Sequence, residues 1–185
     1  MVSITQGRNR VCKDGIGGLA KVYLFPYVKY SRSQIILNSN ILVTYPDTTI
    51  YEYELNNNPS LTQSQSEENG SKFFDLSISL ELENENPNDF NKILKKDYNV
   101  IVKDRNGNYR FLGNRNGLEC DGIDFTTGSG KSDFSGVKLD FKGKEEKEAW
   151  FINDLGDAGF SIFDNYLLQE DGFFLLQENG FKIIL

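Results

Sequence analysis

Phe74-Asp75-Leu76-Ser77-Ile78-Ser79-Leu80-Glu81-Leu82 is the stretch that decides the fold class. Apolar side chains fall on every second residue with acids and serines between them, and a period of two sorts side chains onto the two faces of a strand. A helix would scatter the same five apolar residues around its circumference. The pattern recurs on both sides. Upstream, Tyr51, Tyr53 and Leu55 alternate with Glu52 and Glu54; downstream, Val137, Leu139 and Phe141 alternate with Lys138, Asp140 and Lys142. Aromatic residues make up 13% of the chain, almost all of them Phe and Tyr, which favour pleated, half-buried surfaces. The chain is therefore predicted to be mainly β, and its 185 residues suffice for one principal core.

Turn signals place the other strands. The glycines between Cys12 and Leu19 lead into Val22-Tyr23-Leu24-Phe25, which Pro26 limits. Ile35-Ile36-Leu37 and Ile41-Leu42-Val43 flank Asn38-Ser39-Asn40 as a short hairpin, and Tyr98 to Lys103 and Tyr109 to Leu112 flank Asp104-Arg105-Asn106-Gly107-Asn108 as another. One flanking α-helix is predicted, with Pro87 in its first turn, Asp89 complementing the dipole, Phe90, Ile93 and Leu94 as an apolar stripe, and Lys92, Lys95 and Lys96 near its end. Glu145 to Ile152 reads as either a helical turn or a closing strand. Asn56 to Gly70 is almost wholly polar and too long for an ordinary hairpin loop, so it reads as the tip of a long hairpin arm suited to ordering against a neighbour.

The C-terminus repeats itself: Tyr166-Leu167-Leu168-Gln169-Glu170-Asp171-Gly172-Phe173 is echoed by Phe174-Leu175-Leu176-Gln177-Glu178-Asn179-Gly180-Phe181. Asp-Gly and Asn-Gly are hairpin turns, which predicts a three-stranded β-meander closed by Lys182-Ile183-Ile184-Leu185. The organisation predicted is a sandwich or barrel body over 1–155 and a meander extension over 156–185, hinged at Gly156-Asp157-Ala158-Gly159. Phe173 and Leu175 point to one face of their strand, Phe174 and Leu176 to the other. Both faces being apolar, one is predicted to pack on the body and one on another subunit, each side chain contributing roughly 1.5–3 kcal/mol when buried. The candidate assembly interface is Asn56, Leu61 and Glu67 in the arm with Phe173, Phe174, Leu175, Leu176, Phe181 and Ile184 in the meander.

Candidate chemistry is sparse. The chain has no histidine, which removes Ser-His and Cys-His pairs and the commonest transition-metal ligand. Cys12 and Cys120 alone cannot build a structural zinc site, and both are predicted to be free thiols. Glu119, Asp121, Asp124 and Asp133 cluster in a glycine-rich region and could in principle do glycosidase-type work, though solvated loop carboxylates are the simpler reading. Thr127-Gly128-Ser129-Gly130-Lys131-Ser132 ends like a phosphate-binding loop, but Phe125 stands where that motif needs glycine and an alternating strand follows instead of a helix. Asp104 to Asn108 begins like a calcium loop, but its glycine falls at the fourth position and Arg115 at the twelfth. No catalytic, cofactor or metal residue is predicted.

A net charge of −7 opposes binding to nucleic acid and to anionic membranes. No stretch approaches the roughly 20 apolar residues of a spanning helix. Met1 to Arg8 lacks the order of a signal peptide, so synthesis in a cytoplasm is expected and the sequon Asn69-Gly70-Ser71 carries no glycan there.

Three pieces in order resemble the tail-tube and head-to-tail connector ring proteins of tailed bacteriophages, of the Bacteroides-type, crAss-like kind. They are Cys12 through Gly17-Gly18-Leu19-Ala20-Lys21-Val22-Tyr23-Leu24, the run from Tyr98 to Arg110-Phe111-Leu112-Gly113, and Thr127-Gly128 leading to Asp133-Phe134-Ser135-Gly136-Val137-Lys138-Leu139-Asp140-Phe141. The resemblance implies a β-sandwich or β-barrel, made in the host bacterial cytoplasm and built into the virion tail as a homo-oligomeric ring of six-fold or twelve-fold symmetry. It implies neighbouring tail or connector proteins as partners, genomic DNA passing through the ring without specific binding, and no catalytic residues. A β-sandwich carbohydrate-binding or adhesive module, which Tyr51 and Tyr53 would suit, and a glycan hydrolase using the carboxylates from Glu119 to Asp133 are the alternatives.

Overall fold

A computed structural model describes residues 17–55, 59, 61–83, 90, 94–130 and 133–163. The chain is mainly β, with 61% strand and 3% helix, and its strands form one large mixed sheet that does not close on itself. In chain order the strands are β1 (Leu19–Pro26), β2 (Ile36–Asn38), β3 (Ile41–Thr44), β4 (Thr48–Glu54), β5 (Leu61–Glu68), β6 (Ser71–Glu83), β7 (Asp97–Asp104), β8 (Tyr109–Leu112), β9 (Leu118–Thr126), β10 (Gly136–Glu145), β11 (Trp150–Ile152) and β12 (Phe160–Ile162). The main path runs β2-β3-β11-β8-β7-β9-β10-β6-β5, and from β7 a branch leads through β1 and β4 to β12. Most pairs are antiparallel; β11 with β3 and β12 with β4 are parallel.

The branch at β7 follows from what β1 and β7 bury. Alternating residues in each serve different cores, so neither strand has a solvent face. Val22 and Leu24 join Val100, Val102 and Leu112 against Leu76, Ile78, Leu80 and Leu82 of β6 and Val137, Leu139 and Phe141 of β10. Tyr23 and Phe25 point the other way and join Ile101, Phe111, Trp150, Ile152 and Phe160 in a second, aromatic core. There Phe111 stacks on Phe25 with centroids 5.9 Å apart and planes 4° off parallel, and packs near Tyr45, Trp150 and Phe160.

The period-two runs are where they were predicted: Phe74 to Leu82 lies in β6, Thr48 to Glu54 is β4, and Val137 to Phe141 lies in β10. The hairpins β2-β3 and β7-β8 are present. In the second, Asp104 organises the turn: Oδ1 accepts the N–H groups of Asn106 (2.8 Å) and Asn108 (2.9 Å), and Oδ2 accepts Asn108 Nδ2 (2.8 Å). Partial burial pushes this carboxyl up, but the bonds from Asn108 and Asn106 outweigh it and hold it below the ordinary value. Both oxygens are used within the turn, which fixes it as a hairpin connection.

Two expectations are corrected. The polar stretch predicted to be a long arm contains β5, an eight-residue strand paired with β6 from Leu61↔Ile78 to Glu68↔Ser71, so Thr48 to Leu82 is not one long hairpin. The turn is Asn69-Gly70, with φ of 52° and 78°, the positive pair of a two-residue hairpin. Its polar side chains hid it, because an edge strand with a solvated face shows little apolar alternation. Second, the glycine-rich carboxylate region is β9: Leu118 and Cys120 turn inward while Glu119 and Asp121 face solvent, and a bulge opposite Asp140/Phe141 breaks the alternation beyond. Of the two readings of Glu145 to Ile152 the structure has the closing strand: β10 ends at Glu145 and β11 begins at Trp150. The segment read as a hinge, Gly156 to Gly159, packs against the body on the side that is described. Ala158 and its neighbours Leu155 and Phe160 are buried in the aromatic core, and the carbonyls of Ala158 and Gly159 accept the N–H groups of Tyr45 (2.8 Å) and Thr48 (3.0 Å). The body thus extends past 155 to β12. The predicted helix falls mostly outside the described residues; Phe90 is buried against Tyr53, with ring centroids 5.9 Å apart. The meander of 164–185 and Cys12 also lie outside them.

Candidate functional site

The two ends of the sheet path differ in kind. β2 is three residues long with a register shift at Ile36/Leu37, the short, irregular form by which proteins blunt a sheet edge. β5 is eight residues long, pairs with β6 without a register break, and contains neither proline nor lysine. No described strand pairs with its outer side. The two-residue turn makes Glu68 and Ser71 a hydrogen-bonded closing pair, so by alternation the N–H and C=O groups of Gln63, Gln65 and Glu67 point away from β6.

One face of β5 is anchored. Leu61 packs against the first core, and Gln63 Oε1 accepts the N–H of Ala149 at 3.0 Å, which ties β5 to the segment entering β11. On the other face Ser66 Oγ donates to Asp75 Oδ2 at 2.6 Å. Near the turn, Lys144 lies 3.7 Å from Glu68 and 4.5 Å from the centroid of Phe73. Alongside β5 runs a groove of ≈ 870 Å³, lined by Gly17, Gly18, Pro59, Asp104, Arg105, Asn106, Asn108 and Arg110 as well as Leu61 and Gln63. It is open, with a lining of mixed polar and apolar character.

Of the predicted interface residues, the structure places Leu61 half-buried at the start of β5 and Glu67 exposed near its end. Asn56, Phe173, Phe174, Leu175, Leu176, Phe181 and Ile184 lie outside the described residues. The feature missed in sequence is the backbone edge of β5 itself, and the signal that could have found it is Asn69-Gly70.

The alternative chemistries look different once placed. Asp121 is ion-paired with Lys142 (2.9 Å) and Lys95 (3.7 Å), and Glu119 with Lys95 (3.8 Å). The hydrogen bond from Lys142 holds the Asp121 carboxyl below its ordinary value, the wrong direction for a general acid. Asp133 closes the phosphate-loop look-alike: its Oδ2 accepts Ser129 Oγ (2.8 Å) and the N–H groups of Ser129 (3.0 Å) and Gly130 (2.7 Å). The amides that would cradle a phosphate already hold the protein's own carboxylate. Lys131 and Ser132 lie outside the described residues. Tyr51 is exposed but its ring packs at a tilt on Phe163, centroids 5.2 Å apart, and Tyr53 packs on Phe90, so the two do not form one free aromatic platform. Among the described residues no group of three acids or cysteines is placed to share a metal ion, and no helix is long and apolar enough to cross a membrane.

One buried acid stands apart. Glu145, 1% exposed, accepts the N–H groups of Arg115 (3.1 Å) and Asn116 (3.0 Å) on Oε1, while Oε2 has no described partner. Burial pushes its carboxyl up, and the neighbouring Glu146 charge adds to the rise, against the opposing pull of the two amides and the Arg115 charge. A carboxyl whose folded value is raised stabilises fully below its unfolded value and loses that contribution as pH rises through the folded one. Glu145→Gln keeps the acceptor and removes the charge. It is expected to melt above the wild type at pH 7 in differential scanning calorimetry, with the gap closing as pH falls toward about 4; a variant that melts lower at pH 7 would show the ionised carboxylate to be stabilising.

Compared with protein-family models, with curated proteins and with solved structures, this chain finds no match.

Proposed function

We propose that the chain is a self-assembling structural subunit of a bacteriophage tail or head-to-tail connector, forming a ring around the DNA channel. The observation that carries the assembly reading is the outer edge of β5, which is long and regular and holds no proline, lysine or bulge, its charges being confined to Glu67 and Glu68 beside the turn. A neighbour's strand added there would satisfy the outward backbone groups of Gln63, Gln65 and Glu67, the β-augmentation mode of recognition. Head-to-tail use of such an edge closes into rings when the rotation allows it. The order of the three resembling pieces supplies the phage assignment. A chain of net charge −7 suits a channel that passes DNA without holding it, because like charges repel. The finer architecture of this reading is a sandwich or barrel body with one flanking helix from Pro87 and a C-terminal meander adding a second contact through residues such as Phe173 and Leu176.

Gln65→Pro tests the edge. Proline is tolerated where the N–H faces outward, so the β5-β6 ladder survives while strand addition is blocked. Light scattering after size exclusion is expected to give a ring-sized species for the wild type and a monomer for Gln65→Pro, with unchanged circular dichroism. A wild type that stays monomeric at high concentration, or a variant that assembles normally, would refute the reading.

A further inference from the structure

A pocket of ≈ 610 Å³ lies between the segment that follows β1, the loop after β8 and the entry to β11. We infer that it is a binding site for a small hydroxylated carboxylate, an acidic sugar of the uronic-acid kind. The inference does not rest on the assembly reading, since none of the lining residues belongs to β5.

Charge is the first observation. The chain is acidic overall, yet Lys29, Arg32, Arg115 and Lys147 line this pocket and no Asp or Glu does. Arg115 has a long ion pair with exposed Glu146 at 3.9 Å; Lys29, Arg32 and Lys147 have none among the described residues. These four cations come from three separate stretches of chain, and an anion among them would relieve their mutual repulsion.

The second observation is independent of charge. Trp150, 3% exposed, lines the pocket and its Nε1–H has no partner among the described residues; the buried Oδ1 of Asn114, on the same lining, has none either. Buried polar groups are nearly always hydrogen-bonded, so one orphaned donor and one orphaned acceptor point to a missing group that both gives and takes. A hydroxyl does that. A fully ionised phosphate ester group, with acceptors alone, would leave Asn114 unanswered, and a neutral sugar would leave the cations unanswered. Tyr27 and Tyr30 supply aromatic walls for the C–H face of a ring.

The site is also built in advance. Tyr27 is held at both ends, its N–H donating to Asp97 O (3.1 Å) and its hydroxyl to the carbonyl of Arg115. Tyr30 meets Tyr45 edge-on at 5.1 Å, and a short 3-10 turn at Arg32–Gln34 is closed by Ser31 N–H donating to Gln34 Oε1 at 3.0 Å. The volume falls within the roughly 300–1,000 Å³ of small-ligand sites.

Trp150 is the chain's single tryptophan, so its emission reports on this pocket. Titration of the full chain with D-glucuronate at low salt is expected to change that emission saturably, with isothermal calorimetry as a second readout. D-glucose, lacking the carboxylate, and succinate, lacking the hydroxyls, are each expected to bind about tenfold more weakly or worse. The double variant Lys29→Gln, Lys147→Gln alters two exposed side chains and is expected to keep the wild-type circular dichroism while weakening glucuronate about tenfold and leaving glucose unchanged. Absence of saturation by both readouts, glucose or succinate matching glucuronate, inorganic phosphate or AMP binding more tightly than glucuronate, or full affinity in the double variant would each overturn the assignment.

Discussion

Phe111→Ala is expected to lower the unfolding free energy by about 3–5 kcal/mol, the range for truncating a fully buried phenylalanine. The side chain is 0% exposed and sits where β1, β8, β11 and β12 converge, packed near Phe25, Tyr45, Trp150 and Phe160. Four aromatic neighbours from different parts of the chain cannot all collapse into the space a lost ring leaves, so the cavity persists and the cost falls at the upper end. Against a total stability of about 5–15 kcal/mol for an ordinary domain, this one change approaches the unfolding threshold. For a chain of this length it should lower the melting temperature by roughly 6–20 °C. Denaturant unfolding followed by Trp150 emission measures it, because Trp150 lies 5.6 Å from Phe111. Phe125→Ala is the control, since Phe125 is 52% exposed and should shift stability by less than about 0.5 kcal/mol. A loss under about 1 kcal/mol in Phe111→Ala would mean that the aromatic cluster is not a tight core.

Gly159→Ala is expected to cost about 3 kcal/mol, which is large for the addition of one methyl group. Gly159 has φ of +97°, where an L side chain is strained, and a Cβ built on it would lie 2.3 Å from the carbonyl oxygen of Tyr45. The clashing atom is backbone and cannot rotate aside. The 45–48 segment must therefore move off residues 158–159, which breaks the two hydrogen bonds to Ala158 and Gly159 and disturbs the β4-β12 pairing that follows. Strain of about 1–2 kcal/mol and two bonds at about 1 kcal/mol each give the estimate. Gly156→Ala, whose nearest contact would be Asp154 Oδ1 at 3.3 Å, should be close to neutral by comparison. If both variants unfold at the wild-type denaturant concentration, Gly159 is free to move and the hinge reading regains its force.

Much of the fold was legible where burial is one-sided. β6 and β10 carry apolar residues on one face and polar ones on the other, so their period shows in the sequence; β4 shows the same period from Tyr51 on to Leu55 just past its end, although Ile50 turns to the aromatic core and Tyr51 is exposed. β1 and β7 were legible as strands but not as the shared wall between two cores; the continuous apolar runs Val22 to Phe25 and Val100 to Val102 are the trace of that double burial. β5 was not legible by pattern, because most of its polar side chains face water and its structure is carried by backbone pairing. β12 was missed because Phe160 finds its partners, Tyr45, Phe25 and Phe111, far away along the chain. The same holds for the cationic pocket, whose residues come from three separated segments, none unusual alone. The carboxylates from Glu119 to Asp133 were conspicuous in sequence only because they are close neighbours there; in space lysines and backbone amides already engage three of them.

The two parallel pairings have a consequence in time. β12 joins β4 through Phe160↔Thr48, and β11 joins β3 through Phe151↔Ile41, each bringing together segments roughly 110 residues apart. During synthesis at about 5–20 residues per second, β3 and β4 therefore leave the ribosome several seconds or more before their partners exist. In that interval the aromatic half of the molecule has no lid, and Ile50, Tyr45 and Leu42 have nothing to cover them. High contact order of this kind places folding in the slow, millisecond-to-second class even after release. The newly made chain thus passes through a period in which its stickiest surface is open while its later strands are still being added, and keeping nascent copies apart until β12 is in place becomes part of what productive folding requires.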